Sequence, residues 1–179
     1  MTRIPTGDAL TGAPRKLVWN AWDQLVEVRV ESSNALLQTN AYDGLFRRTT
    51  RTLADSTVIH QYYNDQWKPV EERKDAATTA LNVYYWGARP GHRDELIRRD
   101  RDTDGNGTLD ERRYGLQDGN WNMIALTGTS STVTERFAYS AYGSPVFMNG
   151  SGTVQSSSAS GFETLYAGYR WDGNSPQRY

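Results

Sequence analysis

Apolar and polar residues alternate with a period of two along much of the chain. In Leu25-Val26-Glu27-Val28-Arg29-Val30 the valines share one side and Glu27 and Arg29 the other, the mark of a half-buried strand. The same alternation predicts strands over 58–63, 81–86, 121–126, 133–139 and 162–166. It puts Leu81, Val83 and Tyr85 on one face, and Val133, Phe137 and Tyr139 on one face of their own strand. Turn signals separate these stretches: Asp43-Gly44, Asp118-Gly119-Asn120, Tyr142-Gly143-Ser144-Pro145, Asn149-Gly150 and Asp172-Gly173-Asn174-Ser175-Pro176. Many short strands at even spacing predict an all-β, antiparallel chain. Glu71 to Ala80 follows Pro69 and has no apolar stripe, which favours a surface loop over a helix. The Ser/Gly-rich residues 150–161 read as a flexible loop between strands.

Composition sharpens this picture. Leu, Ile, Val and Phe number only 31 of 179 residues, whereas Tyr, Trp and Phe number 21, so the core is expected to be thin and aromatic-rich. The 20 basic and 21 acidic side chains leave a net charge of −1, which gives no global field to draw in nucleic acid or an anionic membrane surface. There is no apolar run long enough to span a membrane, and the first residues lack the apolar stretch of a signal peptide. Cysteine is absent, which excludes disulfides, thiolate metal sites and thiol nucleophiles.

An aromatic followed by Asp or Asn recurs: Trp22-Asp23, Tyr42-Asp43 and Tyr63-Asn64, at spacings of 20 and 21 residues. Tyr85-Trp86-Gly87, Tyr139-Ser140-Ala141-Tyr142-Gly143 and Trp171-Asp172-Gly173 look like degenerate copies. The aromatic would fill a core layer at a strand end, and the Asp or Asn would start the turn by accepting bonds from its own backbone. Gly44 would supply the positive φ of that turn.

The chain resembles the Rhs/YD-repeat family. The residues that carry the resemblance are Trp22-Asp23-Gln24-Leu25-Val26-Glu27-Val28 and Tyr42-Asp43-Gly44-Leu45-Phe46-Arg47-Arg48. Tyr85-Trp86-Gly87, Asp94 to Asp100, Asp118 to Asn122, Glu135 to Gly143 and Tyr166-Ala167-Gly168-Tyr169-Arg170-Trp171-Asp172 resemble its associated core segment. The resemblance implies YD-repeat hairpins over 1–80 and a core-like segment over 81–179, as one continuous β unit rather than two independent domains. It implies a twisted sheet strip that is part of a larger spiral β-shell, enclosing or presenting a C-terminal toxin or effector, secreted or at a bacterial surface. The segment itself would be non-enzymatic. Its partners would be further YD repeats, an encapsulated effector, and other copies through open strand edges. Phe46 stands where the family usually has Gly, Met1-Thr2-Arg3 resembles the middle of a repeat, and the chain stops at Gln177-Arg178-Tyr179, before the family's self-cleavage segment. The expectation is a fragment truncated at both ends.

The sharpest local chemistry is the acidic stretch Asp100 to Glu111. Carboxylates alternating around glycines can wrap oxygen ligands about a hard cation. A register from Asp100 places Asp102, Asp104 and Glu111 at ligand positions. A register from Asp102 places Asp104, Asn106 and Asp110 there, with Arg113 where the bidentate Glu belongs. The flanks Glu95-Leu96-Ile97-Arg98 and Arg112-Arg113-Tyr114-Gly115-Leu116 read as strands, which excludes a helix-flanked EF-hand. Asp102, Asp104, Asn106 and Asp110 are therefore a candidate calcium loop. The plainer account is a solvated hairpin loop balanced by neighbouring arginines. A calcium- or carbohydrate-binding cell-surface β-module is the alternative function.

Remaining candidates carry less. His92 lies near Asp94 and Glu95 but lacks a spaced partner, and His60 alternates with core positions. Ser156 to Ser158 have no nucleophile-elbow pattern. Tyr84-Tyr85-Trp86 could stack on sugars or bases but reads as core, and Arg47, Arg48 and Arg51 read as cross-strand partners of acids rather than a phosphate site.

Overall fold

The alternating stretches are strands in the computed structural model, which describes residues 2–4, 14–88 and 94–174. The chain is all-β and its described residues form two compact units. The first runs to Leu81 and is joined by Gly173 and Asn174; the second runs from Asn82 to Asp172. The first holds β1 (Thr2–Ile4), β2 (Arg15–Trp19), β3 (Leu25–Val30), β4 (Leu36–Tyr42), β5 (Arg48–Leu53), β6 (Val58–Tyr63) and β7 (Pro69–Lys74). The second holds β8 (Asn82–Trp86), β9 (Leu96–Arg101), β10 (Glu111–Gln117), β11 (Met123–Thr127), β12 (Val133–Tyr139), β13 (Pro145–Asn149) and β14 (Val154–Gln155), then a single 3₁₀ turn at Tyr166–Gly168. Within each unit every strand pairs antiparallel with the next in sequence, an uninterrupted meander.

One turn design closes most of these hairpins. Starting at residues 20, 43, 53, 64, 118, 128, 140 and 149, the first N–H donates to the carbonyl four residues on, and the fourth N–H donates back to the first carbonyl, at 2.8–3.2 Å. The fourth residue has positive φ each time: Asp23, Phe46, Ser56, Trp67, Trp121, Ser131, Gly143 and Gly152. This is a type I turn followed by a left-handed residue, a hairpin geometry that matches strand twist. At five of them an Asx side chain locks the turn. Asn20, Asp43, Asn64, Asp118 and Asn149 each accept the N–H groups two and four residues ahead on Oδ1, at 2.9–3.1 Å. Left-handed Phe or Trp costs about 1–2 kcal/mol relative to glycine, which the added side-chain bonds offset.

The aromatic before the turn has its own bond. Tyr42 donates to the carbonyl of Leu25 at 2.9 Å, Tyr63 to that of Arg48 at 2.8 Å and Tyr139 to that of Met123 at 2.6 Å. Each acceptor is the first residue of the strand just before the tyrosine's own, so the tyrosine staples the strand ends at the rim. Burial, and then the charge of Asp118, push the Tyr139 hydroxyl above its ordinary range, so it remains a donor throughout the physiological range.

The inner faces of the two units differ. In the first, Leu17, Leu25, Val28 and Ile59 are buried beside a polar ladder. Gln38 donates to Asn40 (2.9 Å), Asn40 to the Leu25 carbonyl (2.9 Å), Arg48 to Gln61 (3.3 Å) and Gln61 to Glu72 (3.0 Å), while Asn174 reaches Gln38 at 3.3 Å. Cross-strand bonds between buried amides and charges satisfy groups that would otherwise be expensive to desolvate. In the second unit Tyr84, Leu96, Met123, Leu126, Phe137, Phe162 and Leu165 form an apolar core, with Trp86, Tyr139, Phe147 and Trp171 against it.

Three local expectations are corrected. Glu71 to Lys74 belong to β7, because Glu72 points inward to Gln61 while Glu71 and Arg73 pair on the other face, with Arg73 over the Tyr62 ring at 5.1 Å. On β8 it is Tyr84 that is buried and Tyr85 that is exposed, the reverse of the expected face, as in any register shifted by one residue. Residues 162–166 are not a strand: they lie in an irregular strap, held by an isolated bridge between Thr164 and Arg170.

Candidate functional site

The repeat residues are distributed as follows. Tyr42 with Asp43 and Tyr63 with Asn64 occupy the staple and turn-cap positions just described. Trp22 and Asp23 do not: they sit at a turn tip, Trp22 exposed and Asp23 in the left-handed position, and the cap place is taken by Asn20, which follows Trp19 without a staple bond. Gly44 lies in open space without positive φ, and the left-handed residue is Phe46, two positions later. Trp171 and Asp172 end the strap rather than a hairpin. Trp171 packs on the core and donates its N–H to the Glu163 carbonyl, and Asp172 is buried.

The strap over 158–172 carries the densest polar cluster of the second unit. Buried Glu135 projects from β12 and accepts bonds from Ser158 Oγ (2.7 Å), Ala159 N (3.2 Å), Ser160 N (2.9 Å) and Ser160 Oγ (2.5 Å). From β9, Arg99 donates to the carbonyls of Ser160 (2.8 Å) and Gly161 (3.1 Å) and pairs with Glu111 at 2.7 Å. Arg101 adds a bond to the Ser160 carbonyl, and Arg170 closes on Glu163 at 2.7 Å. Phe162 and Leu165 then drop into the core, with the Arg99 guanidinium 5.1 Å from the Phe162 ring. Desolvation pulls the Arg99 pKa below its ordinary value, though it stays charged. Chemically this is a latch. The two serine hydroxyls donate to a carboxylate that also accepts two backbone N–H groups of the strap. The sequence holds one sign of it: Glu135 lies on the same period-two face as Val133, Phe137 and Tyr139, an acid where an apolar residue belongs.

No protein-family profile matches the chain, and no curated protein does. Its fold is found in a solved toxin complex. A chain of the TcdB2–TccC3–Cdc42 crystal structure aligns over 89% of this chain with TM-score 0.61 at 16% identity. A chain in the pore structure of a mutant Photorhabdus luminescens Tc holotoxin aligns over 94% of this chain at 10% identity and TM-score 0.42. This chain spans 8% and 9% of those two chains. At such identity the likeness to the first is one of fold alone.

The acidic loop joins β9 to β10 and is folded on its own hydrogen bonds. Asp102 accepts Gly105 N (2.7 Å) and Gly107 N (2.8 Å), Asp104 accepts Asn106 N (3.1 Å), and Asp110 accepts Thr103 N (2.9 Å) and Oγ1 (2.6 Å). Asp100 is buried in a bidentate pair with Arg112, and Glu111 is shared by Arg99 and Arg113, so arginines occupy two ligands of the register that starts at Asp100. Among the described residues no three Asp, Glu or His side chains are grouped to hold a metal. The calcium expectation for Asp102, Asp104, Asn106 and Asp110 rests on their spacing.

These turn and loop carboxylates make stability pH-dependent. Burial pushes Asp102 upward, but the N–H bonds of Gly107 and Gly105 outweigh it and leave the group below its ordinary range. Asp43 and Asp118 are lowered in the same way, by Arg47 and Leu45 and by Asn122 and Asn120. Asp55 and Asp110 are lowered chiefly by bonds from Thr57 and Thr103. A group whose folded pKa is depressed contributes stability above its unfolded pKa and loses it as pH falls through the folded value. The midpoint of urea unfolding is therefore expected to stay flat down to about pH 5 and fall steeply below about pH 4. Asp43→Asn, which keeps the capping oxygen but not the charge, should flatten that fall.

His92 lies outside the described residues. His60 is half-buried in β6. Ser156 and Ser157 are exposed, whereas Ser158 belongs to the latch. Tyr84 is in the core and Tyr85 lies under the Arg98 guanidinium at 3.7 Å. Arg47 pairs with Asp43, and Arg48 is buried against Gln61. Among the described residues no helix is long and apolar enough to cross a membrane.

Proposed function

We propose that the chain is a non-catalytic wall segment of an Rhs/YD-repeat-type β-shell, which in the parent protein encloses or presents an effector carried elsewhere. The observation that carries this reading is the single turn design, repeated eight times and three times preceded by a tyrosine staple, which adds strand after strand to a meander. The fold likeness to a chain of a toxin complex, of which this chain spans 8%, supports it. Polar inner ladders and buried ion pairs suit a wall whose two faces meet different surroundings.

Among the described residues one outer strand of each unit, β1 or β14, pairs on one side alone, and unpaired strand edges recruit further strands. Sedimentation velocity is expected to show concentration-dependent association, reduced by Val154→Lys on β14 and abolished when flanking repeats are supplied in the same chain. A monodisperse monomer at high concentration, indifferent to both changes, would overturn the reading.

A further inference from the structure

Beyond that structural role, we propose that one rim of the first unit docks a proline-rich, basic segment in polyproline II conformation. Three turns, 20–24, 43–47 and 64–68, emerge at the same end of the meander. Each presents an aromatic to solvent: Trp22 is 70% exposed, Phe46 58% and Trp67 49%. Aromatic area this open at three successive turns is not core, and contiguous exposed apolar surface marks an interaction site.

Charge selects the partner. Asp23 and Asp65 are exposed beside Trp22 and Trp67, and among the described residues neither carboxylate has an ion-pair partner. The rim's guanidinium, Arg47, is neutralised by Asp43 at 2.7 Å. Arg47 also displays the binding mode within the molecule, lying 5.5 Å from the Tyr63 ring centre and 5.9 Å from that of Trp67. Arg47 already lies over Trp67, so the pair that lacks such a cation among the described residues is Trp22 with Asp23.

Spacing selects the conformation. Successive turns on this rim are two strands apart, about 9.5 Å at the usual strand separation. A polyproline II helix presents the same face every three residues, roughly 9.3 Å. A segment with Lys or Arg at every third position thus meets each turn in phase, and its prolines pack on the rings with little ordering cost.

The test uses the full chain and fluorescein-labelled peptides in anisotropy titrations at low and physiological salt. A peptide of four Arg-Pro-Pro triplets is expected to bind saturably and more weakly as salt rises. Trp22→Ala and Trp67→Ala should each weaken binding about two- to fivefold. Asp23→Asn with Asp65→Asn should flatten the salt dependence, and Trp22→Tyr should restore most of the affinity. These positions are exposed, and Asn tolerates the left-handed backbone of position 23, so an unchanged melting curve checks the fold of each variant. Equal binding of four Glu-Pro-Pro triplets would overturn the charge argument, and equal binding of four Arg-Gly-Ser triplets the conformational one. Absence of saturable binding, or Trp22→Ala abolishing self-association instead, would overturn the proposal outright.

Discussion

Glu135→Ala is expected to lower stability by about 3–5 kcal/mol, the order of cost of taking a buried acceptor away from several neutral donors. The carboxylate is the acceptor for two serine hydroxyls and two backbone N–H groups, and alanine leaves these donors without it. Each buried donor left unsatisfied costs about 1–3 kcal/mol, so the strap responds by peeling away. Two readouts follow. The urea midpoint should drop, and limited proteolysis should cut within 156–165 far sooner than in the parent protein. Glu135→Gln keeps one acceptor oxygen and should fall between the two. If the alanine variant unfolds at the parent's midpoint and resists protease equally, the latch contributes nothing and the strap is held by its apolar residues alone.

Phe162→Ala is expected to cost about 3–5 kcal/mol, and Leu165→Ala about 2–5 kcal/mol. Both side chains are buried in the core of the second unit, and both come from the strap rather than from the sheet. A one-sheet meander has no second layer of its own. Without the strap, Tyr84, Leu96, Met123, Leu126 and Phe137 lose the cover that those two residues provide. Removing the Phe162 ring also strips Arg99 of its aromatic contact while leaving the guanidinium in place. For a unit of this size each kcal/mol corresponds to about 4–8 °C, so the shift should be evident in a thermal melt. A change below about 1 kcal/mol for Phe162→Ala would show that the ring is not buried on this face in solution.

Much of the sheet was legible because period-two alternation is a direct image of a strand with one buried face. The stretches 25–30, 58–63 and 133–139 coincide with β3, β6 and β12. Alternation misleads where an inward position is polar. On β8 the inward residue before Tyr84 is Asn82, so the apolar Leu81 and Val83 point to the wrong face, and Tyr84 rather than Tyr85 is inside. The repeat was visible but misphased at its start. Trp22-Asp23 matches the aromatic–acid pattern by composition, yet the turn is defined by an Asx whose fourth-residue partner turns left-handed, and that Asx is Asn20. Strands β4 and β5 escaped notice because their inward positions are Gln38, Asn40, Arg48 and Arg51, which carry no apolar signal. The latch was hidden for the opposite reason. Ser/Gly composition around 158–161 reads as linker, whereas those small residues let the chain pass close to Arg99 and Arg101. At Gly161 a side chain would meet the Arg101 guanidinium at 2.8 Å.

The shared turn has an evolutionary corollary. Because most hairpins close with the same five-residue geometry, a duplicated or deleted pair of strands meets its new neighbours with loops already suited to them. Unequal recombination within such a gene lengthens or shortens the encoded protein by whole hairpins and leaves each junction foldable. Its size can thus change by copy number, without fresh invention at the joints.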